Sequence, residues 1–252
     1  MAKWGSMSAL SEYERVRFSR QMLLDGWGEA GQQRIRAAKV FVAGAGGLGS
    51  PVATYLAVAG VGELHICDAD TVELSNLNRQ ILHSDARLGQ LKALSAVRSL
   101  HELNPTIHVQ AVAELLTTES VQRLVERCDI VVDCLDNFET RYVLNAYCLQ
   151  QGIPLVHGAV GGLLGQVTFI QPPDTPCLQC IFPEAPPRGT FPVVGVTPGV
   201  IGCIQAAEVI KYLTGIGTLL KGRLLIFEGE EMAFTSIKVE PAPSCPVCSG
   251  RR

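Results

Sequence analysis

The stretch Val40-Phe41-Val42-Ala43-Gly44-Ala45-Gly46-Gly47-Leu48-Gly49-Ser50 constrains this chain more than any other. A β-branched apolar run stops at Gly44, glycines follow at G-x-G-x-x-G spacing, and an apolar helical pattern opens at once with Pro51-Val52-Ala53. That pattern describes a strand, a tight turn and a helix N-terminus. Glycines let the backbone close on a ligand, while unpaired N–H groups and the helix dipole favour an anion. Gly44, Gly46, Gly47 and Gly49 therefore read as a phosphate cradle. Alone, the fingerprint points first to a dinucleotide-dependent oxidoreductase, and NAD, FAD and ATP all stay open.

Strand and helix patterns alternate around this hub. Strands are predicted at 40–43, 63–67, 107–112, 130–133 and 155–157, with helices at 28–38, 51–59, 89–103, 118–127 and 139–151. Such alternation builds a parallel sheet. A further helix is predicted from an N-cap at Ser11, with acidic residues in its first turn. After Gly158 the character changes: 166–170, 224–227 and 233–237 read as antiparallel strands. Between them lie a Pro-rich segment, 177–194, expected to be a mobile crossover loop, and a helix at 198–214. The expected architecture is α/β, a Rossmann-like doubly wound, mainly parallel sheet with an antiparallel extension and a four-cysteine zinc site. Residues 1–10 are expected to be a disordered extension. A single domain is expected over 11–252, with its nucleotide-binding half at about 38–158 and the crossover loop, antiparallel strands and zinc site at about 159–250.

With 21 Lys and Arg against 24 Asp and Glu, the chain carries a net charge of -3, which disfavours a nucleic-acid surface. No apolar run is long enough to span a bilayer and the first 30 residues are charged, so neither a membrane span nor a secretory signal is expected, and the cytoplasm is the expected compartment. Nine cysteines are an odd count in a chain of 252 residues that needs no disulfides. Four of them form two pairs, Cys177-Leu178-Gln179-Cys180 and Cys245-Pro246-Val247-Cys248, the spacing of a closed tetrahedral zinc site. Cys203, in an apolar helical context, is expected in the core, and so is His157.

Three further groups suggest chemistry. Asp68 and Asp70 stand where a ribose-binding acid is sought, and Asp68 has the spacing of about 20 residues from the glycines. The cluster Asn76-Leu77-Asn78-Arg79-Gln80, with Lys92 and Arg20, supplies cations a hydride-transfer enzyme has little use for and a triphosphate requires. In Asp133-Cys134-Leu135-Asp136-Asn137, Asp136 is assigned to Mg²⁺ and Asp133 to structure; either aspartate could instead cap the next helix.

In order and spacing these pieces resemble the MoeB/ThiF/HesA family, bacterial relatives of ubiquitin-activating enzymes. The likeness runs from Tyr13 to Cys248 and includes Arg17-Phe18-Ser19-Arg20-Gln21, the glycine loop, Asp68-Ala69-Asp70-Thr71-Val72, Ser75 to Gln80, Gly89-Gln90-Leu91-Lys92-Ala93, Asp133 to Asn137 and both cysteine pairs. It implies an ATP-dependent adenylyltransferase acting on the C-terminal glycine carboxylate of a small β-grasp, ubiquitin-like sulfur carrier ending in Gly-Gly. It also implies that Asp68 binds ribose, that Asn76, Arg79 and Lys92 hold phosphates, and that Asp136 holds Mg²⁺. Arg20 would reach into the site of the other protomer, so a homodimer with composite sites is implied. The chain departs from many relatives in having no cysteine at 181–202, with Phe191 about where one would fall. Adenylation without a covalent step through that loop is the expectation. An enzyme adenylating a non-protein or tRNA-linked carboxylate, a nonenzymatic nucleotide-binding module and an NAD-linked oxidoreductase are the alternatives.

Overall fold

A computed structural model describes residues 9–186, 189 and 191–249. Most of the expected extension, residues 1–8, lies outside them; Leu10 is buried, and Arg36 Nη1 donates to the Ala9 carbonyl at 3.1 Å.

Helices α1 (Glu12–Arg17), α2 (Ser19–Met22) and α3 (Gly28–Ala37) lead into β1 (Lys39–Ala43). Then come α4 (Gly49–Ala59), β2 (Glu63–Cys67), α5 (Lys92–Leu103), β3 (His108–Val112), α6 (Val121–Val125), β4 (Ile130–Asp133), α7 (Phe138–Gln151) and β5 (Leu155–Gly161). The chain continues through β6 (Leu164–Ile170), α8 (Leu178–Ile181), α9 (Val196–Thr214), β7 (Arg223–Glu228) and β8 (Ala233–Lys238). One eight-stranded sheet has the order β3-β2-β1-β4-β5-β6-β7-β8. Pairings from β3 to β5 are parallel, and those from β5 to β8 antiparallel. The doubly wound sheet with an antiparallel extension is thus as expected.

Local chemistry sets the element ends. Ser11 caps α1 in a reciprocal capping box with Glu14. Gly60, at φ 88°, ends α4 in the left-handed conformation that favours glycine. Two helices are shorter than expected. The helix predicted from Gly89 begins at Lys92, because Val72 pairs with this segment: Gly89 N–H donates to the Val72 carbonyl at 2.9 Å and Val72 N–H to that of Gln90 at 2.8 Å. Likewise 118–127 shrinks to Val121–Val125, since Thr117 and Ser120 spend their hydroxyls on each other's backbone N–H groups in a preceding turn.

Alternation along the strands builds a core on each face. Val40, Val42, Leu64, Ile66, Ile130 and Val132 pack with α3, α4, α5 and α9 on one side. Phe41, Ala43, Val131 and Leu155 pack with α6, α7 and α8 on the other. Cys203, expected in the core, is exposed on α9. Apolar composition placed it inside, but α9 turns its Ile201, Gln205, Ala206 and Val209 face to the sheet, and Cys203 falls off that face.

Candidate active site

Strand order reverses between β1 and β4, and ligands of such sheets bind in the crevice at that switch point, beyond the strands' carboxyl ends. Register aligns Ala43 with Cys67 on one side and Asp133 on the other. The residues that follow these three, Gly44, Asp68 and Cys134, therefore share one edge.

The glycine loop is pinned there by close backbone approach. Gly44 has φ 103°, and a Cβ on it would meet the Cys134 carbonyl oxygen at 2.6 Å. A Cβ on Gly49 would stand 1.9 Å from the Gly44 carbonyl oxygen, so only glycine lets the loop close onto the start of α4. Ala45 within the loop is held from both sides. Its N–H donates to Asp68 Oδ2 at 2.8 Å, and its carbonyl lies 3.0 Å from His83 Nε2, while His83 Nδ1 lies 2.9 Å from Ser95 Oγ on α5. Asp68 Oδ1 accepts from the N–H of Asp70 at 2.9 Å. Burial raises the Asp68 pKa, opposed by the Ala45 N–H and the nearby Lys92 charge.

The cations close around this loop. Lys92, the first residue of α5, is buried, with Nζ 3.0 Å from Asp70 Oδ2. Arg79 Nη1 donates to the Ser75 carbonyl at 2.9 Å and to Asn78 Oδ1 at 3.0 Å. A Cβ on Gly47 would touch Arg79 Cγ at 3.5 Å and Pro198 Cγ of α9 at 3.3 Å, so the loop, Arg79 and the start of α9 meet. Asn76 is buried, its Oδ1 accepting from Glu73 N–H at 3.2 Å. Asp136 lies exposed beyond β4, where Asn137 Nδ2 reaches its Oδ1 at 3.5 Å. Carboxylate oxygens are of the donor type that hard cations take. Neither aspartate caps α7: Asn137 Oδ1 accepts from Thr140 N–H at 2.9 Å and does so instead.

Arg20 is not brought to this group within the protomer. Its neighbour Gln21 donates to the Ala59 carbonyl at the far end of α4, and the eleven residues of that helix span about 16 Å.

Beside α7, where Leu178 N–H donates to Asn145 Oδ1 at 3.0 Å, the four cysteines of the two pairs converge. Sγ atoms of Cys177 and Cys245 lie 3.6 Å apart, those of Cys180 and Cys248 3.4 Å, and those of Cys177 and Cys180 3.9 Å. All four lie within 4.8 Å of one another. A tetrahedron with Zn–S bonds of about 2.3 Å needs sulfurs ~3.8 Å apart, so the set fits zinc. Burial pushes the Cys177 and Cys248 thiols up, while the backbone N–H groups of Val247 and Cys248 outweigh burial at Cys245 and bring its thiol down to about 7.

With this geometry in place, known proteins decide the family. The model of the ThiF family matches residues 18–247. The chain belongs to the ThiF family. Among ThiF relatives, a SAMP-activating enzyme E1 of Haloferax volcanii is 47% identical over 238 residues, covering 92% of this chain and 88% of the relative. A sulfur carrier protein adenylyltransferase of Thermus thermophilus is 43% identical over 246 residues, covering 93% and 91%. The crystal structure of E. coli MccB with ATP superposes with a TM-score of 0.83 at 25% identity, covering 92% of this chain and 73% of that one.

Two residues outside the nucleotide-contacting set, His83 and Arg141, escape a reading by motif, and a third, Gln80 of the 76–80 cluster, shows a feature that its motif does not. Gln80 is buried beside Gly46 with its Oε1 unpaired among the described residues, an acceptor open to an incoming donor. His83 looks like one polar residue among several in its loop, yet it clamps the Ala45 carbonyl. Arg141 looks like an ordinary helix-surface arginine, yet it is buried against Asp133.

His157, as expected, is a satisfied core histidine: its Nδ1–H donates to Asp133 Oδ2 at 2.7 Å. Burial lowers its pKa, as it lowers those of His83 and His65, so each favours the neutral ring in the folded state. An unfolded histidine titrates near 6.5, so this contribution is complete above that pH and is lost as pH falls below it. The melting temperature is expected to drop between about pH 7.5 and 5.5; an unchanged value across that interval would contradict the assignment.

Proposed function

We propose that the chain adenylates the C-terminal carboxylate of a small ubiquitin-like sulfur carrier ending in Gly-Gly. The observation that carries this is the meeting of a glycine loop, an acid for ribose, two cations and an exposed acid at one sheet edge. Asp68 would accept from the ribose hydroxyls, the glycine loop and Asn76 would hold the phosphates, and Arg79 and Lys92 would neutralise the β and γ groups. Asp136 would hold Mg²⁺, which when bound supplies charge neutralisation to the triphosphate. A carboxylate oxygen of the carrier attacks the α-phosphorus, the bond from that phosphorus to the bridging oxygen breaks, and pyrophosphate leaves with its charge stabilised by Arg79 and Lys92. The attacking group is already ionised at neutral pH, so positioning and electrostatics suffice and no general base is required.

The names of the Haloferax and Thermus relatives support both the reaction and the class of partner. A homodimer is proposed in which Arg20 serves the other protomer's site, supported by its separation from the glycine loop in its own. The chain is proposed to act as one domain over 11–252, in the cytoplasm, where reduced thiols leave the four-cysteine set available to Zn²⁺. Among the described residues no helix is long and apolar enough to cross a membrane. The carrier would be released as adenylate without a covalent step through 181–202, a stretch with no cysteine. Exchange of labelled pyrophosphate into ATP is the test: it should appear only when a Gly-Gly carrier is added. Exchange driven instead by a small carboxylate without any carrier would reject the partner class.

A further inference from the structure

The ion pair Asp133–Arg141 and the neutral His157 form a buried polar cluster on the inner side of the β4–α7 connection, and none of them belongs to the proposed nucleotide site. Asp133 is fully buried, and the Arg141 charge with hydrogen bonds from His157 and Leu135 outweighs its burial and holds its carboxyl below the usual range. A buried ion pair is a poor way to gain stability, since well-packed apolar residues of equal volume serve as well or better. What distinguishes this one is where its bonds go.

Asp133 Oδ1 accepts from the backbone N–H of Leu135 at 3.1 Å. Arg141 Nη2 donates to the carbonyl of the same Leu135 and, at 3.1 Å, to that of Gly158 on β5. Arg141 Nε lies 3.5 Å from Asp133 Oδ2, closing the pair, and the guanidinium lies over Phe138, 5.0 Å from the ring centroid. His157 and the Gln205 side chain complete the frame: His157 Nδ1–H donates to Asp133 Oδ2, and Gln205 Nε2 to the Asp133 carbonyl at 2.8 Å. Both polar backbone atoms of Leu135 are therefore fixed by one buried ion pair, and the peptide plane that Arg141 holds is the one leading directly into Asp136.

Building on the metal role proposed above for Asp136, we propose that Asp133 and Arg141 are positioning residues that aim the Asp136 carboxylate at the nucleotide-bound cation. Among the described residues the Asp136 side chain has only a long contact to Asn137 as anchor, so its direction follows from the peptide before it. Partners one step behind a metal-binding carboxylate change metal affinity by about 10- to 100-fold when removed.

The measurement is the gain in affinity for a non-hydrolysable ATP analogue that Mg²⁺ confers, read by calorimetry with and without the ion. Arg141→Lys keeps a positive charge beside Asp133 but removes the planar fork that reaches Leu135 and Gly158. It is expected to reduce the Mg²⁺-dependent gain by about tenfold while leaving affinity without Mg²⁺ unchanged. In an Asp136→Ala background, Arg141→Lys should have no further effect. An unchanged gain in folded Arg141→Lys protein overturns the inference, and so does a loss that persists in full once Asp136 is gone. If Arg141→Lys does not fold, Phe138→Leu, which removes the ring under the guanidinium and its edge contacts with Tyr142 and Phe182, is expected to reduce the gain in the same direction, and no reduction overturns the inference. A wild-type gain in Asp136→Ala alone would instead remove the metal role of Asp136 itself, separating that failure from a failure of positioning.

Discussion

Replacing Lys92 with Ala should lower carrier-dependent pyrophosphate exchange by about 10²- to 10³-fold, the loss expected when one preorganised charge on a transition state is removed. Lys92 begins α5 and is buried against the glycine-loop region, with Asp70 as its ionic partner in the structure. Asp70 is exposed and loses little with its partner, whereas the largely buried Asp68 loses the nearby cation that opposes its burial, so a modest loss of stability accompanies the substitution. A kinetic loss far larger than the accompanying fall in melting temperature explains is therefore the expected signature, checked by exchange assay and calorimetry on the same preparation. Full exchange by Lys92→Ala would remove this residue from the triphosphate site.

Removing metal from the cysteine cluster should produce the largest change in stability. Cys177 and Cys180 flank the start of α8, while Cys245 and Cys248 lie after β8, so one ion would tie two segments 68 residues apart. The packing around them is thin: among the described residues, Leu149 is the only other buried apolar side chain of that small cluster. Chelation is expected to release about one zinc per chain and to lower the melting temperature by roughly 10 °C or more, corresponding to ~3–5 kcal/mol at this chain length. Elemental analysis with calorimetry checks it. Metal-free protein with an unchanged melting temperature would show that the four thiols carry no staple.

The nucleotide hub is legible in sequence because its determinants are local: glycines at fixed spacing, Asp68 directly after a strand, and Asn76 and Arg79 within a few residues of each other. The sheet follows from the same kind of signal, since apolar runs and turn residues mark each strand. Pairing across the chain is what sequence hides. The start of α5 at Lys92 depends on Val72 capturing the segment around Gly89. The solvent position of Cys203 depends on which face of an almost wholly apolar helix meets the sheet. Arg141 lies eight positions after Asp133, on the next element, and its role appears only when the fold returns its guanidinium to the Leu135 carbonyl. A place for Arg20 in the other protomer's site comes only through resemblance, because nothing among the described residues of its own protomer joins it to the other cations.

Intact-mass analysis of the carrier tests adenylation most directly. The protein is mixed with ATP, Mg²⁺ and a small ubiquitin-like carrier ending in Gly-Gly, alongside the same carrier with its C-terminus amidated. A carrier adenylate with release of one pyrophosphate is expected for the free carboxylate, and neither product for the amide. Pyrophosphate release that is equal for both carriers, or ATP binding with no adenylate on either, would contradict adenylation of the carrier.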